Sequence, residues 1–466
     1  MAHPFKPSLQ TPPMSQAETI AASNLFYLGN LKRPRLDRAE GVYLWDTDGK
    51  RYLDASSGPM VSNIGHSNPR VLAAMKRQMD RSTFGYRLHF VNEAAEELAT
   101  LTASLMPAGL DRIFFASGGS EAVESCLKLA RQYAWVTNRK DRWKVISLRP
   151  SYHGGTLGAV AVTGMDLFVE PFAAMIREMP KIPAARCYLD RDELTDHQRG
   201  LRYAEMLREE ILRQGPESVL AFIMEPVGGA STGALVAPDS YYPRIREICD
   251  EFGILLIVDE VMSGAGRTGR FLAVEHWNLR PDIIAMAKGF AAGYAPLGVM
   301  AARRDMVEAL NPAGGFAHGY TYAGNPLACA AGLAVIREVV DQGLVDRAAT
   351  QGAKLKAGLA KLMDRYEWIG DVRGKGLLLA FELVRDRETM EPLPAGLNAH
   401  VELVEEAYRR GLIIYSRRTR GGKVGDHFMV CPPLIVEDTH IDEIMQTLVA
   451  SLDAWGARAG LPCGRS

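Results

Sequence analysis

Five short segments of the chain hold residue types suited to chemistry. Ala116-Ser117-Gly118-Gly119-Ser120-Glu121-Ala122 leads from an apolar run into an amphipathic helical pattern reaching about Tyr133. Small residues there let the backbone N–H groups of a helix start approach an anion, and Ser120 can cap the helix or donate to a phosphate. A plain strand-to-helix turn has the same appearance. No Gly-Lys-Ser/Thr follows, which excludes a nucleotide P-loop. Ser151-Tyr152-His153-Gly154-Gly155-Thr156 stands past a second apolar run. Tyr152 could stack on a flat heterocycle or pack sideways in a solvated loop. Asp259-Glu260-Val261 ends a run of five aliphatics, where an acid either caps the next element or faces a cationic group on a ligand. Lys288 closes Ala285-Met286-Ala287 and precedes Gly289. An ammonium in that setting is paired, shifted toward neutrality, used covalently as an imine, or snorkels out at the strand end. Gly319-Tyr320-Thr321-Tyr322-Ala323-Gly324-Asn325-Pro326 is a polar aromatic loop that could equally be an ordinary N-cap region.

Gly264-Ala265-Gly266-Arg267-Thr268-Gly269 is a literal G-x-G-x-x-G. Three features argue against dinucleotide binding. Arg270-Phe271-Leu272 begins no clear helix, the glycines start several residues past the strand, and no acid stands about 20 residues on. No single segment decides the chemistry. In order, however, they supply an anion-binding helix start, an aromatic stacker, an acid for a ring nitrogen and a buried lysine, which together meet the requirements of pyridoxal 5'-phosphate.

These residues need a frame that brings them to one edge. Arg112–Phe115, Lys144–Leu148, Leu220–Met224, Ile254–Val258 and Ile283–Ala287 are short apolar runs separated by amphipathic helical patterns. Runs apolar on both faces and alternating with helices predict a mainly parallel α/β sheet, with its ligand beyond the carboxyl ends of the strands. We expect three stretches: a Pro-rich arm and a hairpin around Asp48-Gly49 over 1–64, a large domain over 65–327, and a smaller α+β domain over 328–466. The last contains an Ala-rich helix, a strand at 376–383, and helices near 398–410 and 440–455.

The chain has 466 residues, 54 basic against 55 acidic side chains, and a net charge of −1. Such a balance gives no field to draw in polyanions or an acidic membrane, so nucleic acid and membrane are not expected partners and a small molecule is the default ligand. Six cysteines without C-x-x-C spacing read as reduced core thiols. The Pro-bearing N-terminus (Pro4, Pro7, Pro12, Pro13) lacks a secretory signal pattern, and the expected location is cytoplasmic.

From about Leu25 onward the sequence resembles the class III (omega) aminotransferases among the fold-type I pyridoxal-phosphate enzymes. The resemblance rests on Ser117-Gly118-Gly119-Ser120-Glu121-Ala122, Tyr152-His153-Gly154, Glu225-Pro226, Asp259-Glu260-Val261, Lys288-Gly289 and Thr321-Tyr322. It implies that Lys288 carries the cofactor as an imine and then shuttles a proton, and that Asp259 keeps the pyridine nitrogen protonated. By the same resemblance Gly119 and Ser120 bind the phosphate, Tyr152 and Val261 cover the two ring faces, and Glu225 lies near the cofactor. Thr321 resembles the threonine that reaches the phosphate of a neighbouring subunit, which implies a homodimer with sites at the interface. Arg420 resembles the mobile arginine with which amine:pyruvate members pair a keto acid's carboxylate, although its spacing to Gly425 is longer here. It could also be an exposed loop charge beside Arg417 and Arg418. Met60 stands where many such members have tryptophan, and Ala230 where glutamate-using members often place a glutamate. The implied reaction is ping-pong transfer of an amino group from a primary amine or ω-amino acid to a keto acid, pyruvate rather than 2-oxoglutarate, through pyridoxamine phosphate. An aminomutase, a decarboxylating transaminase and a pyridoxal-phosphate-binding regulator stay open as alternatives.

Overall fold

The structure, a computed structural model, describes Asn24 and residues 33–462. The Pro-rich arm and Cys463 lie outside the described residues. In chain order the strands are β1 (Leu36–Glu40), β2 (Tyr43–Asp46), β3 (Arg51–Asp54), β4 (Arg112–Ala116), β5 (Lys144–Arg149), β6 (Lys181–Pro183), β7 (Val219–Met224), β8 (Leu255–Asp259), β9 (Ile283–Met286), β10 (Gly298–Ala302), β11 (Ile369–Lys375), β12 (Leu378–Asp386), β13 (Glu391–Pro392), β14 (Leu412–Ile413), β15 (Tyr415–Arg420) and β16 (Val424–Val430).

The expected central sheet is present, in the order β4-β10-β9-β8-β7-β5-β6. Strands β5 to β9 run parallel to their neighbours, whereas β10 is antiparallel to both β9 and β4. Every residue of β7, β8, β9 and β10 is buried. Each large aliphatic so removed from water contributes about 1.5–3 kcal/mol, which explains why these strands lack polar alternation. Two members escape sequence reading. Three-residue β6 carries too little pattern, and Gly298-Val299-Met300-Ala301-Ala302 has no periodicity to separate it from β9. Because β10 reverses direction, β4 points the same way as β5, β7, β8 and β9. The carboxyl ends of all five therefore share one edge, and register pairing sets Asp259 beside Ala285, three residues before Lys288.

The predicted hairpin forms between β2 and β3. Asp46 Oδ1 accepts from the N–H groups of Asp48 and Lys50 (3.0 and 2.9 Å), and Gly49 takes the positive φ of 80° that the turn requires. Strand β3 then pairs in parallel with β14, far along the chain, so residues from both termini share one small sheet. Leu53 and Ile64 accordingly pack in one core with Leu355, Phe381, Phe428 and Leu448. A second sheet, β11-β12-β16-β15, lies beside the long helices Leu344–Arg365 and Asp438–Arg458. The helix Pro326–Asp341, started by Asn325 accepting from the Ala328 N–H at 3.0 Å, touches both cores. Among the described residues, no helix is long and apolar enough to cross a membrane.

Glu260, next to Asp259, makes the stability of the fold depend on pH. It is 1 % exposed and accepts from Ser263 Oγ and from the Val274 N–H, and burial pushes its carboxyl up to about 7. The folded state then binds a proton that the unfolded state releases, so stability falls as pH rises from about 4.3 to about 7. The loss over that window is about 3 kcal/mol. Glu260→Gln is expected to flatten the dependence and to raise the melting temperature at pH 8, as thermal unfolding across pH would show.

Candidate active site

The five strand ends enclose a cavity of about 430 Å³ lined by Gly119, Ser120, Tyr152, Glu225, Asp259 and Lys288, among others. Residues predicted from separate motifs, spread from Gly119 to Lys288, thus meet in one place. Val261, on the loop after β8, lines it too.

The helix Gly119–Val136 points its N-terminus into the cavity. Gly118 is extended and supplies no side-chain cap, leaving the first N–H groups to an incoming anion. Ser120 Oγ accepts from the Gly155 N–H at 2.9 Å, which binds the Tyr152–Gly155 loop to the helix start. A Cβ on Gly119 would come within 2.9 Å of Val261 Cγ1, so only glycine permits this approach of the helix to the loop after β8.

Asp259, 5 % exposed, is held from two sides. Its Oδ2 lies 2.8 Å from His153 Nδ1, and its Oδ1 accepts from the Val261 N–H at 3.0 Å. His153 is itself fixed by its backbone N–H donating to Thr163 Oγ1 at 3.0 Å, while its Nε2 is buried without a partner. His153 stands in the Tyr152-His153-Gly154 motif, where its letter alone suggests no role. The adjacent Tyr152 is the stronger chemical signal, and sequence does not reveal that the imidazole turns inward toward a strand over a hundred residues away. Glu225 accepts from the Gly229 N–H (2.8 Å) and the Tyr152 N–H (3.3 Å), and burial raises its pKa above the usual carboxylate range. Burial lowers the pKa of the Lys288 amine, against the opposing charges of Asp259 and Glu225. A depressed amine is the more nucleophilic form that imine chemistry needs.

Three expected residues lie apart from this cavity. Met60 is 1 % exposed, packed with Val227, Ala234 and Met429, and approached by the cavity-lining Met262. Thr321 is exposed and lines a different cleft with Tyr86, Leu88 and Phe114. Arg420 lines a third, beside Lys181 and Arg186, and donates to Glu382 Oε1 (3.4 Å) and to the Met390 carbonyl (2.7 Å). Arg418 is likewise committed to buried Asp426 at 2.9 Å. Arg417 has no carboxylate partner among the described residues. Its guanidinium lies 4.6 Å over the Tyr415 ring, and its charge counters the burial that raises the Tyr152 hydroxyl pKa.

The residues fit pyridoxal phosphate by their own chemistry: an uncapped helix start beside Ser120, a glycine where a Cβ would close the approach, a buried acid backed by a histidine, and a lysine of lowered pKa. The fold and this set define a pyridoxal-phosphate enzyme of fold type I. Residues 30–452 match the family model of class III aminotransferases, and the chain belongs to that family. It is 35% identical over 426 residues to the putrescine–pyruvate aminotransferase of Pseudomonas aeruginosa, covering 91% of each chain. An (S)-enantioselective omega-transaminase from Thermomicrobium roseum superposes with a TM-score of 0.87 at 36% identity, over 93% of this chain and 96% of that one. The omega transaminase of Pseudomonas jessenii in complex with PMP gives 0.87 at 28% identity, over 94% and 97%. The cofactor of the family is pyridoxal phosphate.

Proposed function

We propose that this aminotransferase moves the amino group of a primary amine or ω-amino acid to pyruvate in two half-reactions at the Lys288 cavity. The convergence of Lys288, Asp259 and the uncapped start of the helix Gly119–Val136 on one cavity carries the reading. Bound pyridoxal phosphate supplies an electron sink for the substrate's C–H bond. Lys288 would hold the cofactor through its amine, and the same amine would take up and return the substrate's proton. Asp259, oriented by His153 and the Val261 N–H, holds a proton on the ring nitrogen. Gly119 and Ser120 would hold the phosphate and Tyr152 and Val261 would pack on the ring, while Glu225 braces the Tyr152 backbone.

The placement of Thr321 away from its own chain's cavity supports a homodimer in which it serves the partner's phosphate. Leu88, Phe90, Val91 and Tyr322, each more than 60 % exposed, provide an apolar face beside it. The likeness to a putrescine–pyruvate enzyme supports the donor class and the acceptor. The enzyme is expected to form alanine from pyruvate with such donors, and to form little glutamate from 2-oxoglutarate. Glutamate as the main product would overturn the choice of acceptor.

Among the three neighbouring arginines, Arg417 is the one with no carboxylate partner among the described residues and is assigned the acceptor's carboxylate, since Arg418 and Arg420 are already paired with Asp426 and Glu382. A charge-assisted hydrogen bond contributes about 1.5–3 kcal/mol, so Arg417→Ala should raise KM for pyruvate by roughly 10- to 100-fold. Turnover of an amine lacking a carboxylate should change little in its own half-reaction. An unchanged KM would return the role to Arg420.

A further inference from the structure

Lys288 is not held by its own strand. It follows the end of β9 and takes φ 46°, the left-handed region that a residue with a side chain enters at a cost of about 1–3 kcal/mol. The turn's own hydrogen bonds, from the N–H groups of Ala291 and Ala292 to the Lys288 carbonyl (3.2 and 2.9 Å), offset part of this cost, and packing from outside the turn adds to them. Directly behind it lies Asn63, 1 % exposed, whose side-chain amide is packed so closely on Gly289 that a Cβ there would fall 2.2 Å from Nδ2.

Asn63 is itself clamped. Its Nδ2 donates to the Ala265 carbonyl (2.9 Å) and its Oδ1 accepts from Arg267 Nη2 (2.6 Å). Its backbone carbonyl accepts from the Leu434 N–H and its backbone N–H donates to the Val61 carbonyl, each at 2.7 Å; Val61 lines the cavity. Arg267 belongs to the G-x-G-x-x-G segment. Its side chain is fully buried and donates to the carbonyls of Leu377, Cys431 and Pro432 and to Ser57 Oγ, with no carboxylate hydrogen-bonded to it among the described residues. A buried guanidinium met only by neutral oxygens is a costly device for stability alone. Its donors join the segment around Ser57–Asn63, the start of β12 and the stretch after β16, the three pieces of chain that fix where Asn63 sits.

We propose that Asn63, clamped by Arg267, is a positioning residue for Lys288: its amide is the wedge that keeps the Lys288–Gly289 turn left-handed and the lysine amine directed into the cavity. The inference rests on the role proposed for Lys288 as the residue that takes the cofactor. It also gives the glycine-rich segment a function unrelated to nucleotides, as the mount of the arginine that sets the wedge.

The test uses the full-length protein freed of cofactor by dialysis, with pyridoxal phosphate as the probe and its covalent capture followed in the visible range against pH. Asn63→Ala and the milder Asn63→Ser are compared with Leu448→Ala, a truncation on the helix Asp438–Arg458 that destabilises the core shared with Ile64 at a residue outside the turn. Without the wedge the turn loosens and water reaches the amine, whose pKa burial now lowers. The midpoint of the capture profile should then rise by about one pH unit in both Asn63 variants. In the reloaded enzyme kcat should fall by roughly 10-fold with KM for the amine nearly constant, as expected when a reacting group is misplaced. Leu448→Ala should show neither change. A wild-type midpoint and kcat in both Asn63 variants, or the same shift in Leu448→Ala, would overturn the inference. Capture by Lys288→Ala as fast as by wild type would instead remove the reading of Lys288, and the wedge with it.

Discussion

Lys288→Ala is expected to lose amino transfer by at least about 10⁴-fold, because the role proposed for it gives a single side chain both the covalent hold on the cofactor and the acid–base step. The variant should still bind pyridoxal phosphate, since the helix start, Ser120 and Asp259 are unaltered, but without a covalent bond, so the cofactor should come away on denaturation after borohydride treatment. Folding should suffer little. Removing an amine from a site that burial already makes unfavourable for its charge relieves a desolvation cost and leaves no hydrogen-bond partner stranded. Turnover within tenfold of wild type would exclude Lys288 from the chemistry.

Asp259→Asn should show the second largest effect. Asparagine keeps the shape, so its oxygen can still accept from the Val261 N–H, and the amide can meet the buried ring of His153. The melting temperature should therefore stay within a few degrees of wild type. The negative charge proposed to hold a proton on the ring nitrogen is lost, however, and turnover should fall by roughly 10²–10³-fold, the scale found when one preorganised electrostatic partner is removed from an active site. Alanine at the same position should add a stability cost of about 1–3 kcal/mol, because His153 Nδ1 would be left buried and unpaired. Equal losses of stability and turnover in Asp259→Asn would reduce Asp259 to a structural residue.

Much of this site is legible in the sequence for a physical reason. In a parallel sheet the strands must be apolar on both faces, so each strand end is marked by the first residue that breaks the run: Ser117, Glu225, Asp259 and Lys288 all stand within two residues of one. The edge they share follows from topology alone. What sequence does not reveal is which way a side chain turns. His153 and Tyr152 are neighbours, yet the imidazole is buried against Asp259 while the phenol is 39 % exposed beside Phe168. Arg417, Arg418 and Arg420 are equivalent as letters. Only the folded sheet pairs Arg418 with Asp426 and turns Arg420 to Glu382. Arg267 within a motif that mimics nucleotide binding is a similar case. Its side chain is met by carbonyls from Leu377, just before β12, and from the Cys431-Pro432 stretch, which no local spacing could indicate.

The most direct test of the central claim, that the Lys288 cavity carries the first half of an amino transfer, is the visible absorption of the purified holoenzyme as primary amines and ω-amino acids are added singly, without any keto acid. The account predicts that at least one donor abolishes the band of the lysine-bound cofactor, and that pyruvate then restores it. A band attributable to Lys288 that persists through the whole panel of donors would contradict it.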